Sequence, residues 1–465
     1  VSDDRTTRVD GIVDLNHARR IHVVGVGGAG MSAYASVLAA MGHQVTGSDL
    51  KPSPGLQRLQ GSGIPVELGH RPDHVEGADL VVASGAVPAN NPELVEARRA
   101  GIAVASRADL LASICALRQV AAVTGTHGKT TTTSMMALVL VEAGMHPSFL
   151  IGGDVNEIGT NAVWDDGRWL VVEADESDGT FLRLAPSIGV VTNIDEDHLD
   201  FYGSSQAMVE AFDEFASGCS DAVVVNADDP TAAALGARHQ AITVGSAPGA
   251  DFRVRRLAAP PETPVVQISQ GATVVAELRL AVPGAHNLAN AALAAVAASR
   301  AGAGFDAAER ALGRFAGVAR RFEFRGNVGG ARIVDDYAHL PAEVAATIAA
   351  AREGFTGRLV VVFQPHRFSR TAAMARRFGP AFAGADVVVV TDVYPAGEVA
   401  IPGVSGRLVA DAAMEADPGL DVRYVPDRHD LAGAVEQLLG PGDLCLTMGA
   451  GDITTLAGQL LAGRR

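Results

Sequence analysis

The stretch VTGTHGKTTTTSMMALVLVEAG, residues 123–144, decides the reading of the fold. An apolar run enters a glycine-rich turn, meets Lys129-Thr130, and continues as a helical pattern that ends at Gly144. Glycines in such a turn let backbone N–H groups approach phosphate oxygens, and the helix start adds partial positive charge. Lys129 is placed to meet the β- and γ-phosphates of a nucleotide, and Thr130 to ligate Mg2+. The loop Gly125-Thr126-His127-Gly128-Lys129-Thr130 is shorter than the standard phosphate-binding loop, which would require glycine at Val123. An ordinary βα turn shares the pattern. However, the chain has only two lysines, Lys51 and Lys129, and one of them stands at the phosphate position.

Upstream, IHVVGVGGAGM (21–31) carries Gly25, Gly27 and Gly30 as G-x-G-x-x-G, with Asp49 following a second apolar run. On paper this is a dinucleotide-binding fingerprint, so an NAD-dependent oxidoreductase is one reading. Around it, short apolar runs alternate with helical patterns as far as Leu117, which predicts a parallel sheet with crossover helices. The pattern restarts at QVAAVTGTHGKT and again after Arg320, where ARIVDDY, RLVVVFQ, DVVVVTDVY, VRYV and DLCLTMGAG read as strands. Residues 251–282 resemble short antiparallel strands. Pro341 suits a first helical turn. The expected fold class is α/β in three domains: a Rossmann-like N-terminal domain (1–118), a central P-loop ATPase domain (119–319) and a Rossmann-like C-terminal domain (320–465).

At roughly 150 residues per domain, 465 residues suggest about three domains, and 48% hydrophobic residues allow each a core. A net charge of −16 argues against a general nucleic-acid or membrane-surface binder. Cys115, Cys219 and Cys445 are widely spaced and form no C-x-x-C pair, which fits a reduced, cytoplasmic setting. The polar start predicts no signal peptide, and no apolar run approaches the roughly 18 residues of a membrane span.

Two acidic clusters close central strands: VVEADESDGTF, with Glu173, and VVTNIDEDHLDFYG, with Asp195, Asp197 and His198. They read as metal ligands at the carboxyl edge of the sheet, or as solvated acidic loops. In PGAHNLANAALAA, Asn287 and Asn290 share a helix face; either they read a purine edge, or Asn287 caps the helix and Asn290 is a buried polar contact. After Arg320 and Arg321, DDYAHLPAEV supplies Asp335, Asp336, Tyr337 and His339, and QPHRFSRT supplies His366, Arg367 and Arg370. Clustered arginines after a strand suit a carboxylate or phosphate, although surface arginines at a helix start give the same pattern.

Taken in order, GVGGAGMS, SGAVPANNPE, GTHGKTTTT, EADESDGTF, TNIDEDHLDFYG, HNLANA, RRFEFRG, DDYAHLPAE, PHRFSRT, DVYPAGE and TMGAGD resemble the blocks of the Mur ligases, ATP-dependent amide ligases of peptidoglycan precursor synthesis. Within that family the resemblance is to the branch that adds L-alanine to UDP-N-acetylmuramate. It implies ATP and Mg2+, with ATP on Gly125, Thr126, His127, Gly128, Lys129, Thr130 and Thr131 and on Asn287, Asn290, Arg321 and Asp336. It implies Thr130, Glu173 and His198 as metal ligands, and Gly25, Gly27, Gly28, Gly30, Ser84 and Asn91 on the UDP-sugar. Tyr337, His339, Arg367 and Arg370 would face the amino acid, with Lys129, His339, Arg367 and Arg370 in catalytic roles. The third domain would close over the second and keep water from an acyl phosphate. A soluble monomer or homodimer is expected, with no nucleic-acid or membrane partner. The family usually has His-His-Pro where this chain has His339-Leu340-Pro341. Other Mur ligases carry a carbamylated lysine downstream, a device absent from the alanine-adding branch; this chain has no lysine after Lys129. A related ligase that attaches recycled peptide shares many of these blocks, and a P-loop switch or motor is a further reading.

Overall fold

The computed structural model describes residues 11–197, 199–260 and 263–463. His198, named above as a metal ligand, lies outside the described residues. The contacts divide the chain into two units. The first holds residues 11–255, Val266–Leu278 and Ala289–Arg314; the second holds residues 256–260 and 263–265, Arg279–Leu288 and residues 315–463.

The first unit contains the N-terminal sheet, whose strands run in the order Val66–Leu68, Gln44–Asp49, Arg20–Val24, Leu80–Ala83, Ala103–Ser106. All four pairings are parallel. The order reverses between Arg20–Val24 and Leu80–Ala83, and in doubly wound sheets ligands bind at such a switch point. The helix Ala29–Ala40 follows the glycine turn directly.

The same unit holds the strand Gln119–Thr124, flanked in parallel by Ile188–Val191 and Trp169–Glu173. Its residues from Val120 to Thr124 are buried, as expected of a parallel strand covered on both faces. The helix Lys129–Glu142 follows, buried from Thr130 to Leu140. Gly128 precedes it at φ +80°, with no side-chain cap, so the first helical N–H groups stay available to a ligand. The run after residue 251 forms three strands, Phe252–Leu257, Val265–Gln270 and Thr273–Arg279, that are neighbours in the sheet, and the first of them pairs parallel to Ile242–Gly245. The parallel join to Ile242–Gly245 is set by tertiary packing, which a strand's own pattern does not encode.

The second unit carries a six-stranded sheet, in the order Glu323–Val328, Ala331–Asp336, Leu444–Met448, Leu359–Phe363, Val387–Val390, Asp421–Tyr424. Only the first pair is antiparallel. Both faces are packed, around Phe363, Phe378 and Phe382 on one side and Ile333, Leu431 and Leu456 on the other. Pro341 opens the helix Pro341–Gly354, as its sequence position predicts. Among the described residues no helix is long and apolar enough to cross a membrane.

Candidate active site

The loop after Gln119–Thr124 is latched to the neighbouring strand end. Asn193 Oδ1 accepts the His127 N–H at 2.8 Å, and Asn193 Nδ2 and Thr192 Oγ1 donate to the His127 carbonyl at 2.9 and 2.6 Å. The Thr126 hydroxyl donates to the Asp195 carbonyl and accepts the Asp195 N–H. Gly125 lies at φ +129°, and a Cβ there would stand 2.2 Å from Thr192 Oγ1. A Cβ on Gly128 would stand 2.7 Å from Asn290 Oδ1, so Asn290 lies against the turn. Thr131 is buried in the helix. Asn287 is not an N-cap: the helix starts at Ala285, and the Asn287 amide donates back to the Pro283 carbonyl at 2.7 Å.

Lys129 Nζ donates to the Gly125 carbonyl at 2.8 Å, to the Thr126 carbonyl at 3.2 Å, and to Glu176 Oε1 at 3.0 Å. Burial opposes its charge, but Glu176, Asp175 and Glu173 outweigh that and hold it well above the usual lysine range. Burial pushes the Glu176 carboxyl up to about 7, against the pull of Lys129. Thr130 Oγ1 donates to Glu173 Oε1 at 3.0 Å, and Glu173 Oε2 accepts the Gly152 N–H at 2.7 Å. A hydroxyl beside a carboxylate is an all-oxygen donor pair, the chemistry that Mg2+ takes while keeping several waters. Of the two acidic clusters, Glu173 pairs with the Thr130 hydroxyl, whereas Asp195 fastens the glycine-rich loop through its backbone. Glu176 is not among the residues the sequence singles out; its signal is a third acid in the same block, three residues past Glu173.

At the N-terminal switch point a cleft of about 560 Å³ is bordered by Gly25, Gly28, Asp49, His70, Ser84 and Asn91. Four predicted residues thus meet there. The Asn91 side chain caps the helix Pro92–Arg99 through the Glu93 and Leu94 N–H groups. Asp49 Oδ2 accepts the Gly27 N–H at 2.8 Å, so the fingerprint's acid braces the turn itself. A Cβ on Gly27 would stand 2.5 Å from Leu56 Cδ1, whereas Gly28 and Gly30 face open space. Gly30 borders a second cleft, with Tyr34, Arg107, Gly152, Glu173 and Asp175. Arg107 Nη2 reaches Asp178 Oδ2 at 2.7 Å. Neither Tyr34 nor Arg107 carries a motif, and only the fold brings them to Glu173.

In the second unit, residues after three of the strands, Ala331–Asp336, Leu359–Phe363 and Val387–Val390, gather at one edge. Tyr337 and His339 rings lie 5.3 Å apart, His339 and His366 5.7 Å, and His366 stacks on Tyr394 at 5.7 Å. Arg370 Nη1 donates to His366 Nδ1 at 3.2 Å. Burial, with His339, Arg370 and Arg367 adding to it, pushes His366 down to about 3, so its ring is neutral. Arg367 sits at φ +68°, and its buried Nε has no hydrogen-bond partner among the described residues. Arg320 and Arg321 lie over the Tyr337 ring at 4.9 and 5.1 Å. Asp336 accepts the Phe322 and Ala338 N–H groups at 2.7 Å each. Leu340, in place of the family's second histidine, is buried, and Glu343 Oε2 accepts both the His339 and Leu340 N–H groups. Tyr394 belongs to the DVYPAGE block but is not among the predicted site residues.

Residues 20–119 match the Mur ligase family catalytic domain, 123–298 the Mur ligase middle domain, and 320–451 the Mur ligase glutamate ligase domain. The chain belongs to the Mur ligase family. It is 47% identical over 464 residues to the UDP-N-acetylmuramate–L-alanine ligase of Kineococcus radiotolerans, covering 97% of each chain. The UDP-N-acetylmuramate-alanine ligase MurC of Thermotoga maritima superposes with a TM-score of 0.82 at 30% identity, over 95% of this chain and 98% of that one. A murein peptide ligase of Psychrobacter arcticus shares the fold, with a TM-score of 0.70 at 24% identity over 96% and 98%.

Proposed function

We propose that this chain joins L-alanine to the lactyl carboxylate of UDP-N-acetylmuramate, cleaving ATP to ADP and phosphate, in cytoplasmic peptidoglycan precursor synthesis. The observation that carries the reading is the cleft in the first unit that Gly30, Tyr34 and Arg107 line together with Glu173 and Asp175. Gly28, just before the helix Ala29–Ala40, borders the nucleotide-sized cleft at the switch point, and Gly30, in the first turn of that helix, borders this one. A UDP-sugar with its diphosphate on the glycine turn would thus direct its acidic end toward the Lys129–Glu173 region. The N-terminal part (1–118) is assigned to the UDP-sugar, the central part (119–319) to ATP, and the C-terminal part (320–465) to the amino acid.

A carboxylate is a poor acyl donor because oxide would have to leave. Attack of the lactyl carboxylate on the γ-phosphate gives an acyl phosphate, alanine's neutral amine then adds, and phosphate leaves from the tetrahedral adduct. Lys129 neutralises charge on the transferring group, and the loop N–H groups hold the β-phosphate. Thr130 and Glu173 would hold Mg2+, which offsets phosphate charge when bound. Asn290 packs the nucleotide turn. Arg367, with its Nε unpaired among the described residues, and Arg370 take the amino acid's carboxylate, beside Tyr337 and His339. The neutral His366 holds Arg370 without adding positive charge.

The test is phosphate release from ATP with each substrate omitted in turn, with glycine, serine and a tripeptide offered in place of alanine. Release that requires UDP-N-acetylmuramate and alanine together supports the reading. Equal turnover with the tripeptide would assign the recycled-peptide activity, and release without the sugar would make the chain a simple ATPase.

A further inference from the structure

A second constellation lies in the N-terminal sheet, apart from the residues that handle ATP. His22 is on the strand Arg20–Val24, His74 in the 3-10 turn Pro72–Val75, and Glu93 in the first turn of the helix Pro92–Arg99. One ligand atom from each lies within 4.8 Å of the other two. Glu93 is fully buried, and the His22 and His74 side chains are 2% and 6% exposed.

The geometry around His22 is informative. Its Nδ1 pairs with Thr46 Oγ1 at 2.8 Å, which turns Nε2 toward Glu93 Oε2 at 3.7 Å. That is too long for a hydrogen bond, and the buried Nε2 has no hydrogen-bond partner among the described residues. It is close to the separation of about 3.4 Å expected for two ligand atoms on one tetrahedral ion with bonds near 2.1 Å. His74 Nδ1 meets Glu93 Oε1 at 2.6 Å, while its own Nε2 is also buried and without a hydrogen-bond partner among the described residues. His70 Nδ1 adds a third imidazole nitrogen, 3.1 Å from Glu93 Oε2. The supporting contacts match those of metal sites, where a ligating histidine is oriented through its other nitrogen and a ligating carboxylate accepts a further bond. Thr46 does the first, and Ser48 Oγ, donating to Glu93 Oε2 at 2.6 Å, does the second.

We propose that His22, His74 and Glu93, with His70 alongside, form a site for a borderline divalent cation such as Zn2+. Two imidazoles and a carboxylate select such an ion over Mg2+, which prefers all-oxygen donors. The ion ties together a strand, a turn and a helix that are separated in sequence. It also braces the glycine turn, because the Ser48 carbonyl accepts the Gly25 and Val26 N–H groups at 2.8 and 3.0 Å. Binding displaces the proton on whichever His74 nitrogen ligates.

The test uses the full chain, stripped with a chelator, dialysed, and titrated with Co2+ and then Zn2+ in Mg2+-free buffer. Expected are one retained equivalent, visible ligand-field bands of a tetrahedral Co2+ site, and a higher thermal midpoint. His74→Asn keeps a donor to Glu93, and with His22→Gln it should weaken binding by roughly tenfold or more. His146→Ala, in the exposed trio His146, Asp165 and Asp166, should leave binding unchanged. The proposal is overturned by wild type that retains no ion. It is equally overturned by a thiolate charge-transfer band, by binding that survives both His74→Asn and His22→Gln, or by loss in His146→Ala. The wild-type titration decides even if a variant does not fold.

Discussion

Replacing Gly125 with alanine should damage the nucleotide loop by an amount that the surroundings define. The backbone there is at φ +129°, where an L side chain costs about 1–3 kcal/mol. The added Cβ would stand 2.2 Å from Thr192 Oγ1 and 2.8 Å from the Asn193 carbonyl. Thr192 cannot turn away without releasing the carbonyls of Thr124 and His127, at 3.2 and 2.6 Å. Asn193 O is backbone and already accepts the Thr126 N–H at 3.1 Å. Overpacking of this kind adds about 1–3 kcal/mol, so the total is about 2–6 kcal/mol. At the lower end, kcat/KM for ATP falls about 30-fold. The assay is phosphate release against ATP concentration with both other substrates saturating, paired with urea unfolding followed by circular dichroism. Gly125→Ala/Thr192→Ala removes the nearest atom but not the carbonyl or the strained φ. It should recover part of the loss, a coupling of about 0.5–3 kcal/mol. Wild-type ATP kinetics and stability in Gly125→Ala would refute the account of the loop.

Lys129→Ala should lower kcat by ~100- to 1000-fold in the same assay, as expected for a lost charge stabiliser; unchanged kcat would remove Lys129 from the chemistry. Glu173→Gln should raise the Mg2+ concentration needed for half-maximal rate by roughly tenfold or more, read from a Mg2+ titration. Arg370→Ala should raise KM for alanine by about 10- to 100-fold while leaving KM for ATP unchanged, because a hydrogen bond to a charged group contributes about 1.5–3 kcal/mol. His366 titrates in the folded chain at about 3 against an ordinary 6.5, so its neutral form contributes stability that is complete above pH 6.5 and lost as pH falls toward 3. Urea unfolding across that window should show a component of acid destabilisation in wild type that is absent from His366→Gln.

Residues 123–144 made the central strand, the turn and the helix legible, because apolar periodicity and turn glycines are local properties of the chain. The glycine turn at 25–30 was equally legible as a phosphate-friendly element. Its ligand was not, since Asp49, which suggested a nicotinamide ribose, instead accepts the Gly27 N–H. Asn287 had the composition of a helix cap, yet the helix begins two residues before it. The parallel pairing of Phe252–Leu257 was likewise hidden, because a strand's pattern records its burial and not its neighbour.

The sequence by itself determined the alternation of strands and helices, the phosphate loop around Lys129, and the groups of acids and arginines that follow strands. Only the tertiary structure decided which of those groups meet. Glu176 reaches Lys129 across 47 positions, and Glu93 lies 71 residues from His22. Arg107 and Tyr34 come to Glu173 without any motif. The physical reason is that helix and strand patterns arise from neighbours along the chain. Partners tens of residues apart are set instead by strand order and by the packing of buried faces, which put the carboxyl ends of distant strands at one edge.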